Sequence, residues 1–168
     1  MSQTQELKLA PAFKGPMVTV SLVFILLPVI LNLLMLPRLV SLPSSLNKYL
    51  ALGIMALPLL FSAAMGWLLR ATLRETRLNL SSEGLEYHSP LLSLAANWEQ
   101  AEALVPSDLS SQRWNLKLNQ PARIIQRRLF KPPEPALLQI PLFPFAGHEI
   151  ESLELQLKTF QPKLSRSS

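Results

Sequence analysis

Two uncharged apolar runs, Met17–Leu36 and Tyr49–Leu69, dominate the hydrophobic pattern, and twelve residues separate them. At about 20 residues each and roughly 1.5 Å per residue, each makes a helix of about 30 Å, the thickness of a bilayer's hydrocarbon core. The pattern predicts a transmembrane helical hairpin over 17–69, with spans 17–36 and 49–69 and a connecting loop 37–48. Residues 1–16, polar and interrupted by Pro11 and Pro16, read as a disordered or membrane-lying tail. Pro28 predicts a kink in the first span. Asn32 is expected to hydrogen-bond to the second span, and the small-residue face of Gly53, Ala56, Ala63 and Ala64 to pack against the first. The first run is longer than the core of a signal peptide, and Leu34-Met35-Leu36-Pro37-Arg38 lacks a small-x-small cleavage pattern, so it reads as a retained span.

From Arg74 the period changes. Thr76–Ser81 alternates with Leu78 and Leu80 on one face, Ser81-Ser82-Glu83-Gly84 reads as a turn, and Leu85–Ser89 alternates again. Two such runs around a Gly-containing turn predict a β-hairpin. A third strand is expected around Asn97-Trp98 and on through Ala103–Val105, and a fourth over Arg113–Leu118. Two short strands are expected in Ala122–Phe130 and Leu137–Leu142, with Pro132, Pro133 and Pro135 between them. Ile150, Leu153, Leu157 and Phe160 then recur at helical spacing behind Glu149, Glu151 and Glu154, which predicts an amphipathic helix with acids at its N-terminal end. The soluble part, residues 70–162, thus reads as six or seven short strands and one closing helix, followed by a C-terminal tail, 163–168.

A basic residue after a membrane span, then TRLNLSSEGLEYHSP, a strand centred on Trp98, further short strands, Ile140-Pro141-Leu142-Phe143 and a closing amphipathic helix together resemble the bacterial pleckstrin-homology-like domains tethered to transmembrane hairpins. The resemblance covers roughly Arg74 to Gln161. It implies a membrane α-hairpin joined to a mainly β domain: a bent β-sandwich or barrel of up to seven strands, capped at one open end by the helix bearing Ile150, Leu153, Leu157 and Phe160. It also implies a non-enzymatic role in protein or membrane interaction, in the inner membrane of a bacterium. The first strand loop lacks the Lys-x-x-Arg pattern of lipid-binding eukaryotic relatives, so phosphoinositide binding is not implied.

Charge sharpens this picture. The net charge is +5, and much of the excess flanks the spans. Lys8, Lys14, Arg70, Arg74 and Arg77 lie outside the hairpin, against Arg38 and Lys48 in its loop, which places both termini in the cytoplasm by the positive-inside rule. One further concentration stands out: Arg113, Lys117, Arg123, Arg127, Arg128 and Lys131, with no acid between Leu109 and Pro133. These six are the candidate contact face for anionic lipid headgroups, and the alternative is a solvated strand surface.

Catalytic signals are missing from the pattern. The chain has no cysteine and two histidines, His88 and His148, which do not form a metal motif. Glu83, Glu86, Glu99 and Glu102 do not frame a carboxylate pair, Ser81 and Ser82 have no nucleophile elbow, and the few glycines form no phosphate loop. The expectation is therefore a non-enzymatic integral membrane protein without cofactor. Its cytoplasmic domain would bind a protein partner or the membrane surface, and no nucleic acid. The alternative is a small subunit of an oligomeric transport or export complex built on the proline-broken helices.

Overall fold

The computed structural model describes residues 4–41, 46–107, 110–127, 132–146 and 150–166. The chain forms two compact units, one of Gly15–Ala71 and the other of Met1–Lys14 with Thr72–Ser168.

Strand β1 (Gln5–Lys8) leads into the first long helix, α1 (Pro11–Val40), and the second, α2 (Leu46–Glu75), ends just before β2 (Arg77–Leu80). Both helices are long and apolar enough to cross a membrane, and only 6% of the apolar window of either is buried within the protein. Both extend beyond the uncharged runs, and α1 continues through Pro16, Pro28 and Pro37 without a break. The polar side chains fold back on their own helices. Asn32 Nδ2 donates to the Pro28 carbonyl at 2.8 Å, Ser62 Oγ to the Pro58 carbonyl at 2.9 Å and Thr19 Oγ1 to the Gly15 carbonyl at 3.2 Å. Ser, Thr and Asn side chains on a helix readily bond the carbonyl one turn back. Asn32 therefore does not bridge to the second helix through its amide nitrogen. The expected small-residue face is corrected too. Gly53, Ala56, Ala63 and Ala64 are exposed, whereas Ser21 and Ser62 are buried, and a methyl group on Gly66 would meet Ile25 at 3.8 Å. Small side chains at Ser62 and Gly66, one turn apart, let the helices approach there instead.

The second unit holds two sheets. The first, in the order β1-β2-β3-β4-β7, is wholly antiparallel and includes β3 (Gly84–His88), β4 (Leu92–Asn97) and β7 (Arg123–Arg127). The second, in the order β8-β6-β5-β9, includes β5 (Ala101–Ser107), β6 (Ser110–Leu118), β8 (Gln139–Pro141) and β9 (Ser165–Arg166). No strand is shared between the sheets among the described residues, so they form an open pair rather than a closed barrel. Leu78, Leu80, Leu85 and Leu94 from the first sheet and Leu104, Leu116, Leu118 and Ile140 from the second meet in one core. Two short helical turns, α3 (Glu134–Leu137) and α4 (Phe143–Ala146), precede helix α5 (Ile150–Phe160). The predicted amphipathic face of α5 closes this core: Leu153 and Leu157 are buried, and Ile150 and Phe160 pack beside them. Each fully buried Leu contributes about 2 kcal/mol by removing apolar area from water.

Several predicted boundaries shift. The segment read as an N-terminal tail contains β1, which pairs with β2 in the register Leu7↔Leu78 and Lys8↔Arg77. Its continuation is held too: the Ala10 N–H donates to the Pro144 carbonyl at 2.9 Å, and Phe13 meets the edge of Phe143 at 5.5 Å. The single strand expected around Trp98 is two strands separated by a 3-10 turn, Trp98–Gln100. That turn buries the indole, whose N–H donates to the Ser81 carbonyl at 2.7 Å and whose ring stacks on Phe160 at 5.9 Å. A large ring with a polar N–H needs both a buried face and an acceptor, and a straight strand would supply neither here. Leu137–Leu142 holds the end of the helical turn Glu134–Leu137 and the three-residue strand Gln139–Pro141, because Pro135 is preorganised for a first helical turn. The C-terminal tail is likewise structured: Leu164 is buried, and Ser165–Arg166 pairs in parallel with β5.

Two predictions follow from this packing. Gly84 pairs with Asn97, and a Cβ there would lie 2.2 Å from the Ala96 carbonyl oxygen. Gly84→Ala is expected to cost about 3 kcal/mol through overpacking, read as a lower urea midpoint of the purified protein in detergent. Glu154 accepts from Lys158 at 2.7 Å and from Arg166 at 2.6 Å. The Lys158 hydrogen bond, with Arg166 adding to it, holds the Glu154 carboxyl below its usual 4.5. A depressed folded-state pKa contributes stability that is complete above that usual value and is lost as pH falls through the lower one. Acid titration of the melting temperature should show this loss below pH 4.5, and Glu154→Gln should flatten that part of the curve.

Candidate functional site

The four described members of the predicted basic face do not form one row on a single sheet. Arg113 and Lys117 lie on β6 in the second sheet, Arg123 and Arg127 on β7 at the edge of the first, and Arg128 and Lys131 lie outside the described residues. The Arg113 guanidinium covers the Phe143 ring at 5.2 Å, a cation–π contact. Lys117 is paired with Glu102 on the neighbouring strand at 2.8 Å. The acid-free stretch of sequence therefore acquires an acid through β5–β6 pairing. Arg123 and Arg127 are exposed.

The convergence of charge lies elsewhere, at residues the sequence presents only as flanks of the hairpin. Pairing of β1 with β2 sets Lys8 directly opposite Arg77, and β2–β3 pairing sets Arg77 opposite His88. Like charges directly opposite on adjacent strands repel, so this register has an electrostatic cost. Lys8, Lys14, Arg74 and Arg77 line a cavity of about 120 Å³ together with Glu6, Leu9, Leu73 and Thr76. Thr76 is 94% buried, and its hydroxyl has no hydrogen-bond partner among the described residues. A buried hydroxyl left unpaired costs about 1–3 kcal/mol. None of the four cations comes within 4.0 Å of a carboxylate among the described residues.

A second cavity, about 170 Å³, shares Arg74 and Arg77 and adds Glu75, His88, Ser89, Ser93 and Gln126. The His88 ring is held on both sides, with Nδ1 3.2 Å from Ser93 Oγ and Nε2 3.4 Å from Glu86 Oε2. Burial pushes the Tyr87 phenol up, against a smaller opposing effect of its hydrogen bond to Ser89, so it is neutral at physiological pH. A larger open cleft of about 560 Å³ places Glu83 and Glu99 beside Trp98 and Phe160. Trp98 there has a packing role, as its stacking shows. His148 lies outside the described residues. Among the described residues no group of three or more His, Cys, Asp or Glu side chains is placed to hold a metal ion.

The cationic pocket was legible only in part. Lys8, Lys14, Arg74 and Arg77 stand out in the sequence as charges beside apolar runs, but no spacing rule joins residue 8 to residue 77. Alternation in Gln5–Lys8 is the one local signal for the strand that does so, and four residues are too few to separate it from coil. Comparison of the chain with known protein families, with curated proteins and with solved structures finds no match.

The Lys8–Arg77 juxtaposition has a measurable signature. Lys8→Gln is expected to raise stability by about 0.5 kcal/mol at low ionic strength, since it removes a like-charge cross-strand pair. The gain should shrink as salt is added, as denaturant midpoints at two salt concentrations would show; a gain insensitive to salt would mean another cause.

Proposed function

We propose that this chain is a non-enzymatic integral membrane protein whose small β domain works as an interaction module at the membrane surface. In this reading α1 and α2 cross the inner membrane of a bacterium, both termini are cytoplasmic, and the domain is of the pleckstrin-homology-like kind. The observation that carries it is the pairing of β1 with β2. These strands stand immediately before and after the two helices, so a bilayer crossed by both must have their shared sheet on one side.

Three further features support the reading. The large apolar side chains of the helices are exposed, whereas outside them only Leu91, Ile125 and Leu155 are exposed large hydrophobics among the described residues. Such a concentration of apolar surface needs a non-aqueous cover. Basic residues favour the side of the termini over the loop that carries Arg38 and Lys48. Finally, the cations of the β1–β2 end belong to the stretches of chain that adjoin the apolar runs, so they work at headgroup depth, where each basic side chain near an anionic surface contributes about 1 kcal/mol.

The chain's lack of cysteine makes the topology directly testable. Single cysteines replacing Thr4, Ser41 or Lys163 should behave as two classes toward a membrane-impermeant maleimide. Ser41→Cys should be labelled from outside intact spheroplasts, and Thr4→Cys and Lys163→Cys only after lysis. Labelling of Thr4→Cys and Lys163→Cys from opposite sides would refute the arrangement. For the module itself, the reconstituted protein should melt higher in vesicles containing phosphatidylglycerol than in phosphatidylcholine alone, because a ligand bound by the folded state stabilises it. Equal melting in both would remove the membrane surface as its target.

A further inference from the structure

We infer that the pocket formed by Lys8, Lys14, Arg74, Arg77 and Thr76 binds the phosphate group of an anionic phospholipid headgroup, one lipid per chain. The inference rests on the membrane reading above and adds to it a site, a ligand chemistry and a stoichiometry.

Three independent features of the pocket point to an oxyanion. The first is an excess of positive charge: four cations against one carboxylate, Glu6, line a single small cavity. None of the four has an acidic partner within 4.0 Å among the described residues. The second is register. Lys8 and Arg77 are directly opposite in the backbone pairing, so the two side chains leave the same face of the sheet from neighbouring positions, and an anion between their charged ends turns a repulsive pair into a clamp. The third is the Thr76 hydroxyl, 94% buried at the same cavity and unpartnered among the described residues. A hydroxyl can donate to an anionic oxygen while the lysines and arginines supply charge, which is the donor set that phosphate recognition uses. The size agrees: a cavity of about 120 Å³ is several times the roughly 10–15 Å³ that one water needs, enough to admit a phosphate.

The chain's own order identifies the source of the phosphate. Lys14 is followed directly by the uncharged run that begins at Gly15, and Leu73 and Arg74 lie in the last turns of α2, shortly after the second run ends at Leu69. A pocket built from the residues that enter and leave the bilayer meets lipid headgroups as its nearest anions. Leu9 and Leu73 complete its lining with apolar side chains, suited to the glycerol and upper acyl carbons next to a headgroup phosphate.

The test uses the full-length protein in mild detergent and native mass spectrometry of retained lipid, with phosphatidylglycerol and phosphatidylcholine as probes. The wild type should retain one phosphatidylglycerol in preference to phosphatidylcholine. Arg77→Gln and Lys8→Gln should each weaken retention about fivefold, the equivalent of one headgroup contact. Arg113→Gln, which lies on the other sheet, should leave it unchanged. Thr76→Val separates a binding role from a structural one. It should weaken lipid retention while leaving the lipid-free melting temperature equal or higher, because it deletes an unsatisfied buried hydroxyl without changing shape. Unchanged retention in Arg77→Gln and Thr76→Val would overturn the site. Saturable binding of inorganic phosphate with no retained lipid would overturn the lipid assignment in favour of a soluble phosphate. Either failure alongside the expected cysteine-labelling pattern would sink this inference alone, whereas opposite-side labelling would sink the membrane reading beneath it.

Discussion

The N-terminal segment joins the second unit because four residues pair across some seventy. Gln5–Lys8 and Arg77–Leu80 form adjacent antiparallel strands although both long helices intervene in sequence. Closing a loop of that length has an entropic cost that grows only slowly with length, and Leu7 meeting the buried Leu78 offsets part of it. The Ala10 hydrogen bond and the Phe13–Phe143 contact extend the attachment beyond the strand. The N-terminal segment thereby becomes part of the domain, and its two lysines are brought to Arg74 and Arg77. The same pairing underlies the proposed same-side termini and the proposed phosphate pocket.

The domain is otherwise organised by the change of sheet at Trp98. The chain leaves the first sheet at Asn97, turns through Trp98–Gln100 and enters the second sheet at Ala101. Backbone groups freed by that turn are taken up by side chains, one local and two from distant positions. The Asn97 N–H donates to Gln100 Oε1, Gln161 Nε2 donates to the Trp98 carbonyl, and Asn119 Nδ2 donates to the Glu99 carbonyl. Polar groups next to a leucine core are costly when unpaired, which is why Gln161, just past α5, and Asn119, just past β6, converge there. At the opposite end of the chain Arg166 does similar work: it bonds to Glu154 of α5 and lies over the Trp114 ring at 5.5 Å. The terminal strand is thus fastened to the second sheet and to the capping helix together.

Much of this was readable from local pattern. The two apolar runs, the β2–β3 hairpin around Gly84 and the buried face of α5 each follow from periodicity within a dozen or so residues. Three of the misread segments share a different property, which is that their conformation is decided by a distant partner. β1 needs β2, the turn at Trp98 needs the Ser81 carbonyl and Phe160, and β9 needs β5. The four described residues of the expected basic face are divided for a related reason: sequence proximity is not sheet proximity, and β6 and β7 belong to different sheets.

The sequence alone therefore determined the two long apolar helices, the strand-rich domain after them and the helix that closes it. These rest on short-range periodicity, and hydrophobic burial rewards them whatever the final topology. Only the tertiary structure decided which charges become neighbours. Lys8 and Arg77 are brought opposite each other, and Lys117 receives Glu102, through strand register. Register is a long-range property: it is set by which buried leucines must coincide across strands, and no short window of sequence contains both sides of that match.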